Sequence, residues 1–202
     1  MDSKVSLILK IVLAVVIIYL GYLLYSIIQE PIQFEKLKTK RYTLVQNRLE
    51  QIRDAQKAYR AEYSKFADDF NGLIAFVDTG KQSIIERKDS SFTYYNKTYQ
   101  QEMVKDTIVT KLLGYQPVKK NLFGEDFDAS QLRYIPTTEG KEFEMSATKI
   151  KVNDVIVPVF EAKATNEQIF GDVWKKYDQF IDKEYALTVG SLTEPTLSGN
   201  WK

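Results

Sequence analysis

The pattern of apolar and polar positions divides the chain into three stretches of different character. From Ile11 to Ile28 the sequence IVLAVVIIYLGYLLYSII carries no charge, and Val5 to Leu9 extend the apolar run beyond Lys10. About 20 apolar residues in helical form cross the ~30 Å hydrocarbon layer of a bilayer, so this segment predicts a membrane-spanning helix. Lys10 can lift its amine toward the headgroups, and Tyr25 falls near the opposite interface. A removable signal peptide would have a shorter apolar region and end in small residues. Here the run ends in Ser26, Ile27, Ile28, Gln29, Glu30 and Pro31, so a retained anchor over residues 1–30 is expected. Tyr19, Tyr22 and Tyr25 recur every third residue and drift around one side of that helix. Tyr19, Gly21 and Tyr22 are therefore candidates for a helix-helix contact in the bilayer, with the glycine permitting close approach. The alternative is that each hydroxyl bonds a carbonyl of its own helix.

After Pro31, which should interrupt the helix, apolar positions return at steps of three and four: Val45, Leu49, Ile52, Tyr59, Tyr63, Phe66, Phe70, Leu73 and Val77, with Gln56 in one slot. The spacing predicts a long helix from Phe34 to Tyr63 and a short one from Phe70 to Val77, parted by Asp68, Asp69, Asn71 and Gly72. Val45, Leu49, Ile52 and Tyr59 form a candidate helix contact. It is either a seam joining a second copy or the face that lies on the chain's own sheet. The proximal half of the helix, KLKTKRYTLVQNRLEQ, is strongly polar and reads as a solvated stalk over residues 31–63.

Beyond Gly80 the periodicity shortens, and residues 64–202 read as a globular head. Ser91 to Tyr99 is aromatic and strand-like, and Asp106 to Leu113 fits either a strand or a short helix. Leu132 to Ile135 and Phe143 to Ala147 are expected to pair around the turn PTTEGK. The clearest hairpin lies in KIKVNDVIVPVFEAKA, where alternating apolar residues flank Asn153 and Asp154, both tolerant of left-handed backbone. Pro158 cannot donate to a ladder, so its strand is expected either to lie at an edge or to face its missing donor outward. Thr165 and Gln168 form a capping-box pattern opening one amphipathic helix through Ile169, Phe170, Val173, Trp174, Tyr177, Phe180 and Ile181. From Gly190 the tail has turn chemistry. The fold expected is α+β: a transmembrane helix continuing as a long amphipathic helix, then a small antiparallel sheet and a C-terminal helix.

Composition narrows the chemistry. A net charge of +1 leaves no basic surplus for generic nucleic-acid binding. The 202 residues include neither cysteine nor histidine, which removes thiol nucleophiles, disulfides, the usual zinc ligands and the commonest general base near neutral pH. Asp68, Asp69 and Asn71, and Glu125, Asp126 and Asp128, could offer oxygen ligands to a hard cation, but neither group follows the calcium-loop pattern. Helix capping is the simpler role. The sequon Asn96-Lys97-Thr98 falls in a predicted strand. No catalytic, cofactor-binding or metal-binding residue is expected.

The run Ile52 to Val77, IRDAQKAYRAEYSKFADDFNGLIAFV, is similar to the helix-to-loop region of type IV pilins and type II secretion pseudopilins through Ala55, Ala58, Tyr59, Tyr63, Phe66, Gly72 and Leu73. The leader glycine and fifth-position glutamate of those proteins have no counterpart between Met1 and Gly21, so the resemblance implies architecture rather than leader processing. It implies a subunit or assembly factor of a secretion or filament machine, held in lipid and touching other envelope proteins. The positive-inside count, with Lys36, Lys38, Lys40 and Arg41 after the helix, favours a cytoplasmic head. The short basic tail and the resemblance favour the extracytoplasmic side of the inner membrane, which is the placement expected. A ligand-binding or sensory module is the alternative, requiring a pocket lined by several of Tyr94, Tyr95, Trp174 and Tyr177.

Overall fold

A computed structural model describes the backbone of residues 3–201. Its spine is α1, Ser3–Tyr63, about 90 Å long at ~1.5 Å per residue. Pro31 lies inside this helix and does not end it. A single proline removes one backbone hydrogen bond, and a local bend relieves the ring's clash with the preceding turn. Among the described residues α1 alone is long and apolar enough to cross a membrane, and its apolar N-terminal window is wholly exposed, which fits a single-pass or signal-anchor protein.

From Phe34 onward α1 changes surroundings rather than form. Phe34, Arg41, Val45, Leu49, Ile52, Ala55, Gln56 and Ala58 are buried along one face. The polar proximal half is therefore no free stalk: Arg41, Val45 and Leu49 face the interior of the head, while Lys36, Thr39, Lys40, Thr43 and Asn47 face water. Ser64 ends the helix in a left-handed conformation, φ 57°, its N–H donating to the Arg60 carbonyl at 2.8 Å. Helix α2, Phe70–Thr79, follows, capped by the Asp69 carboxylate, which accepts from the Gly72 N–H at 2.7 Å.

The expected single sheet is two. The first is a long antiparallel hairpin of β1, Lys81–Asn96, and β2, Gln101–Pro117, followed by the short helix α3, Val118–Leu122. Asp106 to Leu113 is thereby strand. Asn96 ends β1 and opens the turn at the hairpin tip, its side-chain oxygen accepting from the N–H groups of Thr98 and Tyr99, so the sequon runs from the last strand residue into the turn. The second sheet has the order β3-β4-β5: β3, Glu144–Val152; β4, Val155–Thr165; β5, Ala186–Gly190. Its first hairpin turns at Asn153 and Asp154, φ 45° and 66°, the two positive values of a tight turn matched to strand twist. β4 is central, yet β5 pairs only with Glu161–Thr165, so Pro158 occupies a stretch open on one side.

Two segments depart from the expected pattern. Leu132 to Ile135 is not a strand paired with Phe143 to Ala147: Ala129–Leu132 is a 3-10 turn capped by Asp128, and only the bridge Tyr134↔Glu142 joins the segments. The C-terminal helix is also broken, into α4, Asn166–Phe170, and α5, Trp174–Tyr177, with a 3-10 turn after it. The capping box at Thr165 and Gln168 is formed. Gly171 and Asp172 then interrupt the helix, Asp172 turning its carboxylate to Arg41 of α1, and both residues are weak helix formers.

The core lies between α1, the second sheet and the C-terminal turns. Phe160, Ala162 and Ala164 of β4 and Leu187 and Val189 of β5 are buried against it. Phe66 meets Phe160 with ring centroids 4.8 Å apart, and Phe34 meets Phe170 at 5.5 Å and Tyr177 at 5.2 Å.

Candidate interaction surface

The hairpin of β1 and β2 is anchored at one end. Glu62 of α1 accepts from the hydroxyl and N–H of Ser83, at 2.7 and 3.3 Å. Val118 donates from its N–H to the Gly80 carbonyl at 3.1 Å, and Asn121 to Gln82 at 3.1 Å. Outward from a bulge between Ile84 and Ile85 the register is regular, Ile85↔Leu112 through Asn96↔Gln101. At ~3.4 Å per residue the strands reach about 50 Å.

This arm is apolar where water meets it. Ile85, Phe92, Tyr95, Val104, Ile108 and Leu112 are all about half exposed or more. In an antiparallel pair directly opposite residues share a face. One face thus carries Ile85 with Leu112, Asp89 with Ile108, Thr93 with Val104 and Tyr95 with Glu102; the other carries Glu86 with Lys111, Lys88 with Val109, Phe92 with Lys105 and Tyr94 with Met103. Both faces mix apolar and charged side chains. A free two-stranded ribbon is marginal in water at best, and independent stability needs a third strand or a packed face. Each strand also presents an unpaired outer edge.

The residues singled out from the sequence fall elsewhere. Tyr19 and Tyr22 are exposed on the apolar part of α1, and nothing lies within 4 Å of a side chain built at Gly21. Val45, Leu49 and Ile52 are fully buried in the chain's own core, and Tyr59 packs on Tyr63 and Phe76 at 4.6 and 5.1 Å. Of the two roles open to that stripe, the fold uses it for the chain's own head. Tyr94 and Tyr95 belong to the arm, whereas Trp174 and Tyr177 pack in the head, Tyr177 against Phe34. The acidic groups act locally: Asp69 caps α2, Asn71 accepts from Arg133, Glu125 pairs with Lys120 at 2.5 Å, and Asp128 accepts from Ser130. Among the described residues no group of three or more acidic side chains could hold a metal ion.

Two polar clusters tie α1 to the head. The buried Arg41 guanidinium donates to both carboxylate oxygens of Asp172, at 2.6 and 2.7 Å, and to the Ile169 carbonyl at 2.6 Å. That bidentate bond holds the Asp172 carboxyl below the usual carboxylate range. Tyr42 donates to Asn166 at 2.7 Å beside a cleft of about 230 Å³ lined by Phe34, Lys38, Phe170, Phe180 and Tyr185. Burial pushes its phenol up to about 12, against the opposing effect of the Asn166 bond. The cleft is smaller than the ~300–1,000 Å³ usual for small-molecule sites.

The aromatic stretch of β1 is legible in the sequence, but the arm as an element is not. Its only signal was a run of tyrosines and apolar residues from Phe92 to Leu113 lacking the alternation of a half-buried strand. No protein-family model matches the chain, and comparison with curated proteins and with solved structures finds no match.

Proposed function

We propose that this chain is a single-pass protein of the inner membrane, its head on the extracytoplasmic side, working by protein contact as a structural subunit or assembly factor of a secretion or filament-type machine. The observation that carries the reading is the arm: two long strands held only at their base, apolar side chains in water on both faces, both edges open. Exposed apolar surface of that extent marks interaction sites, and open strand edges supply main-chain groups for a partner's strand. The anchor keeps the arm beside a membrane, and the lower half of α1 packed on an antiparallel sheet supports the pseudopilin-like layout. Lipid around α1 and other envelope proteins around the arm are the partners; no reaction is assigned.

The test is to excise the arm without disturbing its base. Ser83 and Tyr115 are ladder partners, so replacing residues 84–114 with Asn-Gly closes a short hairpin that keeps Ser83 on Glu62. The shortened protein should stay in the membrane fraction with a melting temperature within several degrees of the parent, yet migrate as a smaller species on native gels of mildly solubilised membranes. Unchanged migration would refute the arm as contact surface. Protease added to intact spheroplasts should cut the head; protection would move it to the cytoplasmic side.

A further inference from the structure

We propose that the partner strand on the arm is the same strand of a second copy, β1 against β1 in antiparallel register about a twofold axis at Ser90. This rests on the reading that the arm is the contact surface.

Three observations lead there. The first concerns which edge is open. β2 carries the bulge, Gly114 and Pro117, devices that blunt an edge, whereas β1 runs from Lys81 to Asn96 without glycine or proline.

The second is symmetry. Adding β2 of one copy to β1 of the next, head to tail, would repeat the chain every two strands, about 10 Å. A helix with its side chains is already ~10–12 Å across, and here the helix carries a sheet on one side. Antiparallel pairing of β1 with itself puts the two heads at opposite ends of the joined arms, where they do not meet.

The third is charge. In a twofold antiparallel pair each residue faces its mirror position about the axis. An axis at Glu86, Arg87, Lys88 or Asp89 would set identical charges directly opposite, which is destabilising. Of the axes that avoid this, Ser90 keeps the longest overlap, Ile84 to Asn96. It sets Lys88 against Phe92, Arg87 against Thr93, Glu86 against Tyr94 and Ile85 against Tyr95 of the other copy. Asp89 meets its own copy only diagonally, at roughly 7–8 Å. Lysine on the phenylalanine ring and isoleucine on the tyrosine ring are favourable cross-strand pairs. The product is a four-stranded sheet, above the strand number at which a sheet holds by itself.

The chain has no cysteine, so Ser90→Cys gives it a single thiol. Residues opposite one another in an antiparallel pair have Cα atoms about 4.5–5.5 Å apart, inside the range of about 4.4–6.8 Å that a disulfide spans. Mild oxidation of native membranes should convert Ser90→Cys largely to a disulfide-linked dimer. Lys88→Cys and Phe92→Cys should each stay monomeric alone and crosslink to one another when co-expressed. Equal crosslinking at all three positions, or none at Ser90, overturns the register and the self-pairing. If a photo-crosslinking residue at Tyr94 then captures a different protein, the contact reading stands and the twofold pairing falls. If it captures nothing, both fall.

Discussion

At the scale of the residue, Gln56 shows how one polar side chain can hold a core. It is fully buried within the apolar stripe of α1, donating to the Ala67 carbonyl at 2.8 Å and accepting the Ala67 N–H at 2.9 Å. Both backbone groups of Ala67 are thereby satisfied in the turn between α1 and α2. Gln56→Met keeps most of the volume and removes both bonds, leaving two buried polar groups unpaired at ~1–3 kcal/mol each. Equilibrium unfolding in detergent should show a loss of about 2–6 kcal/mol; a variant as stable as the parent would mean the bonds contribute nothing. Arg41 and Asp172 make a pH-dependent counterpart. Because Arg41 depresses the Asp172 carboxyl, the folded chain binds that proton less readily than the unfolded chain. The stabilisation is complete above the unfolded carboxylate value of about 3.9 and drains away as pH falls through the lower folded value. Asp172 is itself 54% exposed, so solvent screening limits the effect. The melting temperature of Asp172→Asn should therefore fall below that of the parent near neutral pH and converge with it in acid. A constant gap down to pH 2 would contradict the linkage.

At the scale of the element, what the sequence disclosed follows from how local each signal is. The spacing that ends at Tyr63, the cap at Asp69 and the turn at Asn153-Asp154 act within a few residues, and the helix end, α2 and the β3–β4 hairpin stand where those signals put them. β5 carried no such signal. Its five residues bury only Leu187 and Val189, and its place is fixed by pairing with β4 more than 20 residues away and by α1 behind it. Its end at Gly190 depends on the same neighbour: φ is 77°, and a Cβ there would sit 2.2 Å from the Phe160 carbonyl oxygen. The C-terminal helix failed for the opposite reason. Its apolar spacing was right and its rings are in the core, but the bond from Arg41 to Asp172 is tertiary, and the chain breaks at Gly171 to make it. The arm lacked the period of two because neither face is buried, and that period records burial rather than strand geometry.

At the scale of the whole molecule, α1 belongs to three environments in turn: an exposed apolar length, the interior of the head, and the base of the arm at Glu62. Stability should be distributed the same way. Amides of α1 around Val45 to Ala58 are enclosed by the sheet and C-terminal turns, so their exchange with solvent requires opening of the core. Amides of the arm between Ile85 and Leu112 are bonded across the ribbon, held at its tip by Asn96 or left open along an outer edge, and unzipping the ribbon exposes little surface not already wet. In dilute detergent, hydrogen exchange followed by mass spectrometry should label arm peptides within seconds to minutes. Peptides from the buried half of α1 should stay protected by several orders of magnitude more, as expected of a domain whose unfolding costs about 5–15 kcal/mol. In native membranes the β1 half of the arm should slow sharply while the core changes little, because strand addition protects backbone that is otherwise open. Arm peptides as protected as the core in the dispersed protein would make the arm part of the cooperative fold, and its apolar faces would then need no second chain.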